Sequence, residues 1–243
     1  WCFILHFFPN QSNAIGHDYS YFLNLLFDGR IWFDQNGLDI QWYTPSFGGG
    51  LPKFPDPQGM QYSLPQVFSH FLHPLDAIKV TMLFLLAFAY IGVYLLSQEL
   101  SPKSFFITKH AIALMFICNC FFISRMAIGH ITYHVIMYSP MYAYLTLNML
   151  NKRNISWLIF SAIVFALGVY GGAGNYSIFL NFSILFILVP LSTRKVKDNT
   201  LFWVSSQIIL GLVFSGPQIS ASLSFISHFP REHVIPPQFH SYF

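Results

Sequence analysis

Between residues 77 and 216, apolar stretches alternate with short polar loops. The pattern predicts six membrane-spanning helices at roughly 77–98, 106–124, 132–150, 155–170, 175–191 and 200–216. Each is near the ~20 residues a spanning helix needs, or a little short. The short connections predict antiparallel neighbours. Every second loop is basic: Lys103 and Lys109, then Lys152 and Arg153, then Arg194, Lys195 and Lys197. Basic residues resist translocation, so this side is expected to be the cytoplasm. The opposite side holds seven of the nine acids, namely Asp18, Asp28, Asp34, Asp39, Asp56, Asp76 and Glu232. Chemistry that needs carboxylates is therefore expected on the extracytoplasmic face.

Ahead of these spans, residues 1–8 are apolar but too short to cross a bilayer. They are expected to be the end of a truncated first transmembrane helix, with residues 9–76 forming a long external loop. Within that loop, Asp18 to Asp28 predicts a short helix lying in the membrane interface. Tyr19, Phe22, Leu23, Leu26 and Phe27 fall near one face, and Gly29 is the stop signal. The stretch Trp42-Tyr43-Thr44-Pro45-Ser46-Phe47-Gly48-Gly49-Gly50-Leu51-Pro52 follows, continuing to Tyr62-Ser63-Leu64-Pro65. Long loops are uncommon unless functional or disordered. The aromatic content here supplies enough burial for order, which predicts a structured cap over an external cavity. At the other end, Gly216-Pro217-Gln218 is expected to close the last span, leaving 217–243 as a truncated external segment.

Composition agrees with the pattern. Hydrophobic residues make up 54% of the chain and charged residues 9%, against about 25% charged in soluble domains. An all-α, polytopic bundle in a cell membrane is the expected fold. The net charge of +3 forms no basic stripe interleaved with aromatics, so nucleic acid is not an expected partner. Cys2, Cys118 and Cys120 have neither disulfide nor metal spacing, and read as small apolar filler.

Few residues carry chemistry. Asp18, next to His17, opens the first predicted helix. Aspartate there is a preferred N-cap, and an ionised carboxylate can also act as a general base; the two roles can coexist. Arg125, Gly129, His130 and His134 gather at the outer end of a helix hairpin. Arg125 can anchor to lipid phosphate or grip a substrate phosphate. His130 and His134, four apart, are expected to share a helix face, but without a third ligand they are a weak metal signal. Arg231, beside Glu232, is a second phosphate candidate. The run Tyr170-Gly171-Gly172-Ala173-Gly174-Asn175 predicts a tight external turn, where backbone lies close to a ligand or another helix. No serine-nucleophile, phosphate-loop or zinc-protease motif occurs. Acids inside the spans, the mark of a proton pump, are also lacking.

Taken in order, these pieces resemble a known family. They are His17-Asp18-Tyr19; Trp42-Tyr43-Thr44-Pro45 with Gly48-Gly49-Gly50-Leu51-Pro52 and Tyr62-Ser63-Leu64-Pro65; Arg125-Met126-Ala127-Ile128-Gly129-His130 with Pro140; Gly171-Gly172; and Gly216-Pro217-Gln218 with Arg231. The chain resembles the polytopic GT-C glycosyltransferases, most closely the YfhO-like bacterial membrane proteins. That resemblance implies transfer of a sugar from a polyprenyl-phosphate donor to an extracytoplasmic glycan, lipid or protein acceptor at the outer face of the bilayer. It implies Asp18 as the base of an inverting single displacement. His17, Arg125, His130, Gln218 and Arg231 would bind substrate, the two arginines facing the lipid phosphate. Trp42, Tyr43, Gly49, Gly50 and Tyr62 would wall the sugar site. It implies no certain cofactor and leaves open whether a divalent metal is needed. The chain departs from the family in two respects: many members carry paired acids in the first loop, and here Asp28, Asp34 and Asp39 compete for the second place; and a complete first helix, the later helices and the external domain typical of the family are expected to be missing from this piece. Two other readings stand beside it. A transporter or lipid flippase would need polar or broken helices near the midplane, and Asn119, Asn148, Asn181 and Gln207 are scattered. A non-catalytic scaffold with this fold would not need Asp18.

Overall fold

The computed structural model describes residues 18–192 and 199–228. Helix α1, Tyr19–Asn36, is followed by a small antiparallel hairpin, β1 (Tyr43–Thr44) with β2 (Leu51–Pro52), and by α2, Leu64–Ser69. The helices α3 (Pro74–Leu100), α4 (Phe106–Ile117) and α5 (Cys120–Ala127) come next. A 3-10 helix, Ile131–Tyr138, then leads into α6 (Ser139–Lys152), α7 (Ile155–Tyr170), α8 (Gly174–Ser192) and α9 (Thr200–His228).

Among the described residues, three helical stretches are long and apolar enough to cross a membrane: Pro74–Leu100, Phe106–Ala127 and Thr200–Ser227. Ile155–Tyr170 and Tyr176–Pro190 are shorter apolar helices. The exterior agrees: Phe106, Met115, Phe179, Phe186 and Phe202 are all exposed. In water such a surface would drive association; in lipid it is simply solvated. The protein is a membrane protein.

The interior follows from periodicity. On α3, Ile78, Met82, Leu85, Leu86 and Ala89 form one buried stripe, at the spacing that stacks side chains on one helix face. This helix packs on α4, α6 and the 3-10 helix, α6 packs on α7 and α8, and α9 lies along α7. Local caps set several starts. Ser63 Oγ accepts from the Gln66 amide at 3.4 Å, and Asn154 Oδ1 from that of Ser156 at 2.8 Å. Both satisfy orphan N–H groups of a first turn.

Four elements differ from the sequence expectation. Helix α1 runs through Gly29 to Asn36, with Gly37 at its C-cap. Gly29 is a spacer rather than a stop: a Cβ there would collide with the Gln66 side chain. The predicted span 106–124 is two helices, because Asn119 Oδ1 accepts from the Phe122 amide at 2.8 Å and starts α5 afresh. The span 132–150 begins as a 3-10 helix and becomes α-helical at Ser139, where Pro140 occupies a first-turn position that needs no N–H. Finally, α9 does not end at Gly216-Pro217-Gln218 but carries Pro217 inside it and continues to His228. The Tyr170 hydroxyl donates to the Phe214 carbonyl at 3.2 Å, close to where proline breaks the ladder.

The two ends of the bundle differ chemically. At one, Lys152 Nζ meets Glu99 at 3.7 Å, and Arg153 donates to Thr200 Oγ1 at 2.7 Å. At the other, the described part of the first loop, 18–73, forms a cap. The cap is fastened by Gln218 Nε2 to the Phe54 carbonyl at 3.0 Å, and by the edge of Tyr62 against Tyr170 at 6.0 Å. At Gly172 a Cβ would lie 2.8 Å from the Gln58 carbonyl, so the glycine turn serves close packing under this cap.

Candidate functional site

The short segment between α5 and the 3-10 helix closes on the start of α1. Gly129 adopts a φ of +86°, and a Cβ on it would stand 2.6 Å from the Tyr19 nitrogen. Only glycine combines that conformation with that approach. The Tyr19 hydroxyl donates to the Met126 carbonyl and pins the two segments together. The result places His130 beside Asp18.

Asp18 precedes α1, but its carboxylate makes no capping hydrogen bond, contrary to one expectation from its position. Its backbone is already helical (φ −71°, ψ −9°), which turns the side chain away from the first-turn amides. Oδ2 instead accepts from His130 Nε2 at 2.9 Å, and about half of the side chain, 51%, stays exposed. On the far side of the imidazole, Nδ1 meets Arg125 Nη1 at 3.1 Å. Guanidinium only donates, so Nδ1 must accept and Nε2 must carry the proton given to Asp18. One neutral tautomer serves both neighbours. The Arg125 Cζ lies over the rings of Phe121 and Tyr133, 5.2 and 5.0 Å from their centroids, a geometry that attracts cations. Tyr133 also stacks on His130 at 5.9 Å. Carboxylate, neutral imidazole and guanidinium thus form a line; among the described residues, the second Asp18 oxygen and the other guanidinium N–H groups make no further hydrogen bond.

His134 does not share a face with His130. It points into the bundle, fully buried, and its Nδ1 donates to the Ile131 carbonyl at 2.6 Å. The 3-10 winding, three residues per turn, separates residues four apart. Among the described residues no group of three or more His, Cys, Asp or Glu side chains could hold a metal ion.

The other candidates form two further groups. The Tyr43 hydroxyl donates to the Gly49 carbonyl at 2.6 Å across the hairpin, and its ring lies against Gly50. Trp42 and Tyr62 meet the buried Phe54 edge-on at 5.6 and 5.8 Å, and Gln218 holds that residue's carbonyl. These contacts build the cap rather than reach Asp18. A link between cap and site runs through Tyr21, which packs on Phe47 at 5.8 Å and donates to Asp56 Oδ2 at 3.1 Å. His17 and Arg231 lie outside the described residues.

Asp28 is committed to the cap. It accepts from Thr44 Oγ1 at 2.8 Å, Ser46 Oγ at 2.9 Å and Gln41 Nε2 at 3.0 Å, and pairs with Lys53 Nζ at 3.4 Å. Burial favours the neutral carboxyl, but the hydrogen bonds and Lys53 outweigh it and hold its pKa below the ordinary value. Burial pulls the Lys53 ammonium down to about 8 despite Asp28. A cavity of about 350 Å³ opens beside Asp28, between Phe27 and Ile31 of α1 and Phe47 of the hairpin tip. Asp34 faces Arg30 and His70 at 4.0 and 3.9 Å.

Sequence reasoning missed Phe121 and Tyr133 as the walls of the arginine. Phe121, four residues before Arg125 on one helix, was within reach of a spacing argument. Tyr133, across the Gly129 turn, was not. No protein-family model, curated protein or solved structure matches the chain.

Proposed function

We propose that the chain belongs to a membrane glycosyltransferase that moves a sugar from a polyprenyl phosphate to an acceptor hydroxyl on the extracytoplasmic side. The observation that carries this reading is the line Asp18–His130–Arg125, at 2.9 and 3.1 Å. It puts a base and a phosphate-gripping cation on one imidazole. In the reaction, Asp18 takes the acceptor proton as the hydroxyl oxygen bonds to the anomeric carbon. The anomeric carbon–oxygen bond to phosphate breaks with inversion, and its electron pair leaves on the lipid phosphate. Arg125, positioned by His130, Phe121 and Tyr133, stabilises that growing charge. Preorganised charge of this kind is usually the largest catalytic contribution.

Sidedness is part of the proposal. Lys152 and Arg153 stand at the opposite end of the 131–152 segment from His130, as the positive-inside rule asks of a cytoplasmic turn. The test is Asp18→Asn in the full-length protein, assayed for transfer from a polyprenyl-phosphate sugar at unchanged membrane abundance. A drop of about 100-fold or more, the usual scale for a lost general base, is expected. Undiminished transfer would rule out the proposed base.

A further inference from the structure

At the basic end of the bundle, away from Asp18, α3, α4, α6 and α8 line an open cavity of about 500 Å³, inside the ~300–1,000 Å³ range of ligand pockets. Its wall changes character along α4. Thr108, Ile112 and Phe116 line it from α4, one stripe at helical spacing that covers about 12 Å. The stripe passes from hydroxyl to aromatic. Ala143 of α6 and Ile184 of α8 complete the apolar part. At the mouth, Ser97 and Ser101 add to the hydroxyl rim, with Ser104 beyond them in the turn. Among the described residues, the Ser97, Ser101 and Thr108 hydroxyls have no hydrogen-bond partner. Lys103 lies in that turn between Ser101 and Ser104, and Lys109 Nζ is held near the Pro102 carbonyl at 3.4 Å. The nearby acid, Glu99, is paired with Lys152.

We infer that this cavity binds one anionic phospholipid from the leaflet at the basic end. Its phosphate would sit at the serine rim beside the turn that carries Lys103, with an acyl chain along Ile112 and Phe116. A neutral lipid would leave the cations unmatched, and a soluble anion would leave the apolar depth unused. Juxtamembrane lysines draw anionic lipids in this way. The inference does not depend on the proposed sugar transfer.

The test uses the full-length protein, equilibrated with mixed phosphatidylglycerol and phosphatidylcholine vesicles, then read by native mass spectrometry for retained lipid. One phosphatidylglycerol is expected to stay bound in preference to phosphatidylcholine. Ala143→Phe, which fills the depth, should lower retention about tenfold. Lys103→Gln should lower the headgroup preference about fivefold, the worth of one basic residue at an anionic surface. If Ala143→Phe does not insert, Ile112→Trp makes the same obstruction from an exposed position. Retention unchanged by the obstructing variant would overturn the inference. So would equal retention of both lipids, or displacement by glycerol 3-phosphate, which would mark a soluble anion instead.

Discussion

Replacing Asp28 by Asn strikes the most concentrated polar network in the cap. Lys53 is 3% exposed, and Asp28 is its one carboxylate partner among the described ion pairs. Burial already draws the ammonium from 10.5 to about 8 with the carboxylate present, a cost of about 3 kcal/mol. Stranding a buried charge costs ~3–5 kcal/mol. We take the lower figure, because Asn can still accept from Thr44 or Ser46. The loss should appear where the pair holds the chain. The amides of Lys53 and Phe54 donate to the carbonyls of Trp42 and Gln41, both at 3.0 Å. Hydrogen exchange at those two amides, in the full-length protein in lipid nanodiscs, should accelerate about 100-fold for a ~3 kcal/mol loss. Adding Lys53→Met should restore much of the protection, since apolar replacement of a buried pair is often neutral or stabilising. Unchanged exchange in Asp28→Asn would refute the reasoning, and so would a double variant more open than the single one.

The same network sets a pH dependence of one sign in two separate windows. The folded Lys53 loses its proton near pH 8 while the unfolded chain holds it to about 10.5, so cap stability should rise with pH between these values. Asp28, whose folded carboxyl is held below its ordinary pKa of 3.8, should lose its contribution only as the pH falls below that value. Opening of the cap measured across both windows should become rarer as pH rises in each, which checks the sign. Gly129→Ala should cost about 1–2 kcal/mol from the left-handed backbone alone, and more from the approach to Tyr19. We expect transfer activity to fall with it, read against thermal stability in detergent. Gln218→Leu should leave the Phe54 and Asp56 carbonyls short of a donor, at about 1–3 kcal/mol. Limited proteolysis within residues 53–59 should then quicken without loss of the membrane-embedded helices.

The sequence was most legible where the bilayer itself dictates the pattern. The stretch 155–170 is a helix at those residues, and 77–98 falls inside Pro74–Leu100, because apolar runs and their polar borders are local signals. The breaks were harder. Asn119 interrupts a run that hydropathy reads as continuous, and its capping bond to Phe122 shows only once the backbone turns. Gly216-Pro217 looked like a terminus because proline usually ends a helix in water; membrane helices tolerate it where neighbours supply hydrogen bonds, as Tyr170 does near this turn. At the site, the run from Arg125 to His130 carried a readable signal in its glycine. The partnership of His130 with Asp18 spans more than a hundred residues of chain, and no spacing rule reaches that far. Asp28 was indistinguishable from Asp34 and Asp39 in sequence, since its four partners come from the hairpin.

Helix α9 is bolted at two points: its first residue, Thr200, to Arg153 at 2.7 Å, and Gln218, ten residues before its end, to the Phe54 carbonyl at 3.0 Å. A rod fixed so tightly sets a phase as well as a length. One residue inserted between the two bolts would rotate one relative to the other by about 100°, so both could not be fastened at once. The eighteen-step interval from Thr200 to Gln218 is five whole turns at 3.6 residues each. The spacing along this helix therefore keeps the cap in register with the floor of the bundle.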